Sequence, residues 1–133
     1  MDDTTTSQVD GKRNKSVLVV DDHELVLKMV VSMLVKEGFT VRSASSGQEA
    51  LDIARNDNSV QCVLQDLSMP LMSGEEVIEE LAGFRPELPV LVYSADEESA
   101  VAHRLVHLGI AGYLQKPFDP EELVERLTVL LGD

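Results

Sequence analysis

The chain has 133 residues, enough for one domain with a core of its own, and 44% of them are apolar, with no Trp. Its formal net charge of −13 argues against nucleic acid or an anionic membrane as a partner, since affinity for either comes from Lys and Arg. No apolar run reaches the roughly 18 residues a membrane helix needs, no apolar segment follows the N-terminus as in a signal peptide, and a single Cys forbids an internal disulfide, which suits a reducing, cytoplasmic setting.

Residues 1–15 are polar and predict a disordered tail or linker ahead of one domain over 16–133. Ser16-Val17-Leu18-Val19-Val20 is a buried strand that stops at Asp21-Asp22. Leu25, Val26, Met29, Val30, Met33 and Leu34 then recur at helical spacing, with the methionines as core filler and Gly38 as the residue just past the helix. Phe39 to Ser43 alternates as a second strand. Ser46 and Glu49 predict a capping box, and Ala50, Leu51 and Ala54 an apolar stripe behind it.

Val60 to Asp66 is the central strand, with Cys62 an inert buried thiol and Asp66 carried out at its end among the turn residues Ser68, Pro70, Ser73 and Gly74. Ser73 and Glu76 cap a third helix lined by Val77, Ile78 and Leu81. Pro89 to Tyr93 is a fourth strand ending at Ser94. A helix follows from about Glu97 to Leu108, stopped by Gly109. Ile110 to Gln115 is a fifth strand, ending at Lys116-Pro117, and Asp119, Pro120 and Glu122 open a last helix. Strict βα alternation predicts an α/β fold with a parallel sheet covered by helices on both faces.

In such a sheet ligands bind at the carboxyl ends of the strands. Those ends carry Asp21, Asp22, Asp66, Ser94 and Lys116. Crowded carboxylates protonate or take a cation. Hard oxygen donors with no His or Cys suit Mg²⁺. A carboxylate, a cation, a Lys and a hydroxyl together suit phosphoryl transfer, which is mainly positioning and charge neutralisation. Asp66 is the candidate nucleophile, Lys116 pairs with the phosphoryl oxygens, and Ser94 hydrogen-bonds one of them. His103 and His107 stand i, i+4 without a third ligand and read as exposed helix residues; His23 follows the acidic pair with no role assigned.

Val19-Val20-Asp21-Asp22, Asp66-Leu67-Ser68-Met69-Pro70 with Met72 and Gly74, Ser94-Ala95, and Lys116-Pro117-Phe118 resemble the response-regulator receiver domain of two-component signalling, in order and without a gap from about residue 16 to 131. The resemblance implies a single (βα)5 flavodoxin-like fold with strand order 2-1-3-4-5. It implies that Asp66 accepts a phosphoryl group from a histidine kinase or histidine phosphotransfer protein. Asp22 and Asp66 would ligate Mg²⁺ with the backbone carbonyl of Ser68, and Asp21 would act through water. Ser94 and Lys116 would sense the phosphoryl group, and Tyr113 would be the aromatic switch, passing the change to the last two helices. The Lys116-Pro117 bond is expected to be cis. The downstream protein target stays open, as does a monomer against a weak phosphorylation-linked dimer. The Gly112 to Pro117 run is similar to receivers of hybrid histidine kinases, so both a stand-alone regulator and a piece of a larger kinase remain open. Gln65 departs from the family's usual apolar residue, which puts burial of the strand there in question.

Three other uses of this architecture compete. A receiver fold serving only for docking needs no cation. A Mg²⁺-dependent phosphatase would turn over, but needs a second acid where Ser68 stands. A flavin carrier needs a phosphate cradle where Asp21-Asp22-His23-Glu24 stand, which would repel the phosphate.

Overall fold

The computed structural model describes residues 15–132; the tail expected over 1–15 lies outside them except for Lys15. The elements alternate strictly: β1 (Ser16–Val20), α1 (Glu24–Lys36), β2 (Thr40–Ala44), α2 (Gly47–Asn56), β3 (Cys62–Asp66), α3 (Gly74–Phe84), β4 (Val90–Ser94), α4 (Glu98–Leu105) with a 3₁₀ turn (Val106–Leu108), β5 (Gly112–Gln115) and α5 (Pro120–Leu131). The described strands form one parallel sheet in the order β2-β1-β3-β4-β5, the expected 2-1-3-4-5.

Successive strand residues face opposite sides of a sheet, and here the sides hold two separate cores. Leu18, Val20, Val63, Val92 and Tyr113 pack under α2, α3 and α4. Val17, Val19, Leu64, Leu91, Tyr93 and Leu114 pack under α1 and α5. β1, β3 and β4 are buried along their whole length, as an apolar run covered on both faces must be. Arg85 pins the entry to β3, donating to the carbonyls of Ala54 and Asp57 at 3.3 Å and of Val60 at 2.9 Å.

The helix ends follow their sequence signals with instructive exceptions. Gly38, at φ 97°, closes α1: Phe39 N–H donates to Leu34 O at 3.1 Å and Gly38 N–H to Val35 O at 3.0 Å, the paired bonds of a Schellman end. Ser73 and Glu76 form a complete capping box. Ser46 accepts from Glu49 N–H, but the Glu49 carboxylate turns to Ser45 N–H at 2.9 Å instead of closing on Ser46. Asp119 makes no side-chain cap among the described residues; its carbonyl accepts from Glu122 N–H at 3.0 Å. The helix expected over Glu97 to Leu108 tightens to a 3₁₀ turn after Leu105, before Gly109 at φ 67°.

The apolar stripe of α1 is rotated from the expected one. Leu27, Val30 and Leu34 are buried, whereas Leu25 is 82% and Met29 62% exposed, so Met29 is not core filler. Gln65 is fully buried despite its amide. Its Nε2 donates to Asp66 O at 2.8 Å, which satisfies half of the side chain. Burial pushes the Cys62 thiol up to about 12, so it stays protonated and inert. The Lys116-Pro117 bond is cis.

Candidate functional site

Register and alternation assemble the site. Asp66 pairs with Tyr93 across β3 and β4, and Val20 with Gln65 across β1 and β3. Asp21, Asp66 and Tyr93 share the parity of Val19, Leu64 and Leu91, so all three project on the α1/α5 side. Lys116, two residues past Leu114, reaches the same point.

The Lys116 ammonium donates to Asp66 Oδ1 at 3.1 Å and to Asp21 Oδ2 at 3.3 Å. It also lies 4.5 Å from the centroid of the Tyr93 ring, a cation–π contact. The Tyr93 hydroxyl donates to Asp21 Oδ2 at 2.7 Å, and the ring stands edge-on to Phe118 with centroids 6.0 Å apart. Asp21 Oδ1 accepts from His23 N–H at 2.9 Å. Both Asp21 oxygens are therefore engaged.

Asp22 and Asp66 differ in this respect. Asp22 Oδ1 and Asp66 Oδ2 are buried, and neither has a hydrogen-bond partner among the described residues. Buried acceptors without partners cost free energy, and a carboxylate costs more than a neutral group. One ligand atom each from Asp21, Asp22, His23 and Asp66 falls within 4.8 Å of all the others. Two orphaned carboxylate oxygens in one acidic cluster form a hard-oxygen donor set, which fits Mg²⁺.

The electrostatics separate the acids. Burial would raise the Asp21 pKa, but the Tyr93 hydroxyl, the His23 N–H and then the Lys116 ammonium overcome it and hold the carboxyl below the ordinary range. For Asp66 burial also dominates. Lys116 pulls its pKa back, the neighbouring Asp21 charge adds to burial, and the balance lies above the ordinary value. Burial first, then Asp21, push the Tyr93 phenol up, so it remains a donor.

Ser94 and Tyr113 face the other core. Ser94 is 2% exposed and its Oγ accepts from Asp96 N–H at 3.1 Å. The Tyr113 hydroxyl, turned inward, donates to Asp96 O at 2.6 Å. The two residues thus meet at one backbone position. Ser68 is exposed on the loop between β3 and α3. Gly74 anchors the far end of that loop: a Cβ there would overlap the Asp66 carbonyl oxygen and lie 2.7 Å from Leu67 Cα. His103 and His107 are exposed, away from the acids in the fold.

Of the expected residues, Asp21, Asp22, Asp66 and Lys116 converge directly. Ser94 sits one residue past the strand partner of Asp66, and Tyr113 lies behind it. Tyr93 was read only as the end of a strand, yet it touches both Asp21 and Lys116. Parity with Leu91, combined with the position opposite Asp66, is the signal that could have found it. Beside Lys116 an apolar groove of about 590 Å³ opens, lined by Val26, Met29, Val30, Met33, Phe118 and Pro120 among others.

A family model described as the response regulator receiver domain matches residues 17–128. The transcriptional regulatory protein SrrA of Staphylococcus aureus is 32% identical over 118 residues, covering 89% of this chain and 48% of the relative. The chain thus spans about half the length of the curated relatives it matches. Among solved structures, the chemotaxis protein CheY4 of Vibrio cholerae is 29% identical with a TM-score of 0.82, over 88% of this chain and 98% of that one. The response regulator TrrA of Thermotoga maritima, solved in complex with Mg²⁺ and BeF, is 30% identical with a TM-score of 0.80, over 88% and 99%. No described helix is long and apolar enough to cross a membrane. With the family profile running from β1 into α5 and the acids, the Lys and the cis proline converging at one sheet edge, this chain belongs to the response regulator receiver domain family.

Proposed function

We propose that Asp66 is the phosphoacceptor of a two-component relay and that Mg²⁺ is held by Asp22 and Asp66. The carrying observation is the pair of buried, unpartnered oxygens, Asp22 Oδ1 and Asp66 Oδ2, beside a Lys116–Asp66 contact of 3.1 Å. When bound, the cation would neutralise charge on the phosphoryl oxygens and the acids. The backbone carbonyl of Ser68, on the adjoining loop, completes the proposed ligand set. Asp21 acts through water, which its two engaged oxygens support.

The residues divide the work. An Asp66 oxygen attacks phosphorus, the P–N bond of a donor phosphohistidine breaks, and the imidazole leaves with the electron pair and takes up a proton. Lys116 exchanges its carboxylate contact for a phosphoryl oxygen. Ser94 Oγ turns towards another, giving up Asp96 N–H, so that the bond between Tyr113 and Asp96 and the α4 and β5 surface around it change with it. Water attack on phosphorus later restores the carboxylate and releases phosphate. Ser68 stands where a turnover enzyme would need a second acid, which supports a switch rather than a phosphatase.

A histidine kinase or phosphotransfer protein is the proposed donor. The apolar groove between α1 and Phe118 shares Lys116 with the site and suits an amphipathic helix presenting that histidine. Incubation with Mg²⁺ and acetyl phosphate should add one phosphoryl group, seen by intact mass. No adduct on the wild type, or one that survives Asp66→Asn, would refute the assignment.

A further inference from the structure

Gln65 is a buried amide one residue before the acceptor, in a strand that is otherwise apolar up to Asp66. It pairs with Val20 of β1 and Val92 of β4, and Val92 pairs with Tyr113 of β5. The row Val20–Gln65–Val92–Tyr113 therefore faces the core under α2, α3 and α4, while Asp66 projects from the opposite face. The register between β1 and β3 ends at Val20–Gln65, one residue short of Asp66.

The Gln65 side chain reaches on past the point where that pairing stops. Its Nε2 donates to Asp66 O at 2.8 Å and approaches Met69 Sδ at 3.9 Å. An amide oxygen placed against a carbonyl would repel it, so the nitrogen faces Asp66. The bond to the carbonyl is short, and the sulfur is a weak second acceptor. One amide thus touches both ends of the turn Asp66–Leu67–Ser68–Met69. Gly74 closes on the same carbonyl from α3, since a Cβ there would overlap Asp66 O. The Asp66–Leu67 peptide is held between the Gln65 amide and the first turn of α3.

Packing alone does not account for an amide in this place. Its Oε1 is buried and has no partner among the described residues. An unpaired buried acceptor costs free energy. Methionine, unbranched and of similar length, would fill the same space without that cost. What the amide adds is its N–H groups.

We infer that Gln65 is a positioning residue for phosphoryl transfer: from the face of the sheet opposite the acceptor, its amide fixes the Asp66–Leu67 peptide and the turn that follows. The inference rests on the reading that Asp66 is the phosphoacceptor, and it adds the group that sets the aim of that carboxylate. The Asp66 side chain and the Ser68 carbonyl both hang from the tied segment, so rotation of its first peptide swings both. Misplacing a reacting group by about 1 Å can cost roughly a hundredfold in rate.

The test compares Gln65→Met with the wild type, both as the full chain, labelled by acetyl phosphate at saturating Mg²⁺ and followed by intact mass. The maximal rate per folded molecule should fall about tenfold or more, with the half-saturating acetyl phosphate concentration unchanged. Urea denaturation in a chelator should place the midpoint of Gln65→Met at or above that of the wild type, because the unpaired Oε1 is gone. Gln65→Asn withdraws the amide by one methylene and should slow labelling in the same way, which decides the matter if Gln65→Met does not fold. A wild-type maximal rate in either variant, or a loss that only follows the unfolded fraction, overturns the inference. Asp66 then stands as the acceptor if Asp66→Asn abolishes the label. If the wild type takes no label, the acceptor reading and this inference fall together.

Discussion

Tyr93 and Asp21 meet at 2.7 Å in a place closed to solvent, phenol donating to carboxylate, and the Lys116 ammonium is held against the face of the same ring. This contact falls on Asp21 Oδ2, the oxygen that also accepts from Lys116 at 3.3 Å. Tyr93→Phe keeps the ring and removes the donor. It should lower unfolding stability by about 1.5–3 kcal/mol, the range for a hydrogen bond to a charged group, as read by urea denaturation. It should also raise Mg²⁺ affinity severalfold, because Asp21 Oδ2, left with only the Lys116 ammonium at 3.3 Å, turns more of its charge towards the cation. Unchanged Mg²⁺ binding by calorimetry would remove Tyr93 from the site and leave it a packing residue.

Asp66 carries a cost to folding. Its folded pKa lies above the ordinary Asp value of about 3.9, so between the two values the folded protein binds more protons than the unfolded chain. Stability from this group is full below the unfolded value and falls as pH rises through the folded one. Asp66→Asn should therefore be more stable than wild type at pH 7, with the gap closing towards pH 3.5. Saturating Mg²⁺ should also narrow the gap at pH 7, and a chelator should restore it. Thermal melts across pH, with and without Mg²⁺, would show both.

Asp21 behaves oppositely. Its carboxyl is held below the ordinary value against the pull of burial, chiefly by Tyr93 and then by the His23 N–H. Its contribution is present above the unfolded pKa and is lost as pH falls through the lower, folded one. Asp21→Asn should destabilise at neutral pH and lose its effect in strong acid. A pH-stability profile in which Asp21→Asn and Asp66→Asn move in the same direction at pH 7 would contradict this arrangement.

Gly74 brings the first turn of α3 against the Asp66 peptide. Gly74→Ala would press a methyl group into the Asp66 carbonyl and Leu67 Cα, backbone atoms that cannot step aside. Overpacking of this kind costs about 1–3 kcal/mol. The variant should melt lower, and acetyl phosphate labelling of its folded fraction should slow as the Asp66 peptide is displaced.

Met29, in the second turn of α1, is 62% exposed and lines the apolar groove. Met29→Asp should leave labelling by acetyl phosphate intact while reducing transfer from a protein donor about tenfold or more, as loss of an interface anchor does. Equal losses with both donors would remove the groove as the docking face.

The architecture was legible because burial on both faces makes β1, β3 and β4 near-continuous apolar runs, and because Gly38, Ser73 and Pro120 mark helix ends by local chemistry alone. The acids and Lys116 were legible for a related reason: each ends a strand, and parallel strands end together. Tyr93 was not, since an aromatic in an apolar run packs far more often than it hydrogen-bonds, and its partner is 72 residues away in sequence. Met29 misled for the converse reason. Helical periodicity identifies an apolar stripe but not which side of it packs against the sheet. Gln65 is buried with its Nε2 bonded to the Asp66 carbonyl and its Oε1 without a partner among the described residues, a local arrangement that hydropathy does not register.

Asp96 is gripped from two directions, its N–H by Ser94 and its carbonyl by Tyr113. A hydroxyl near the acids and a phenol beneath α4 are consequently fastened to a single short rod, and neither can be repositioned without loading the other. In the proposed relay, whatever reads the outer surface of β5 would receive the state of the acidic pocket through a coupling one residue long. Replacing the Asp96 side chain would leave both bonds in place, since Asp96 contributes only its main chain to them.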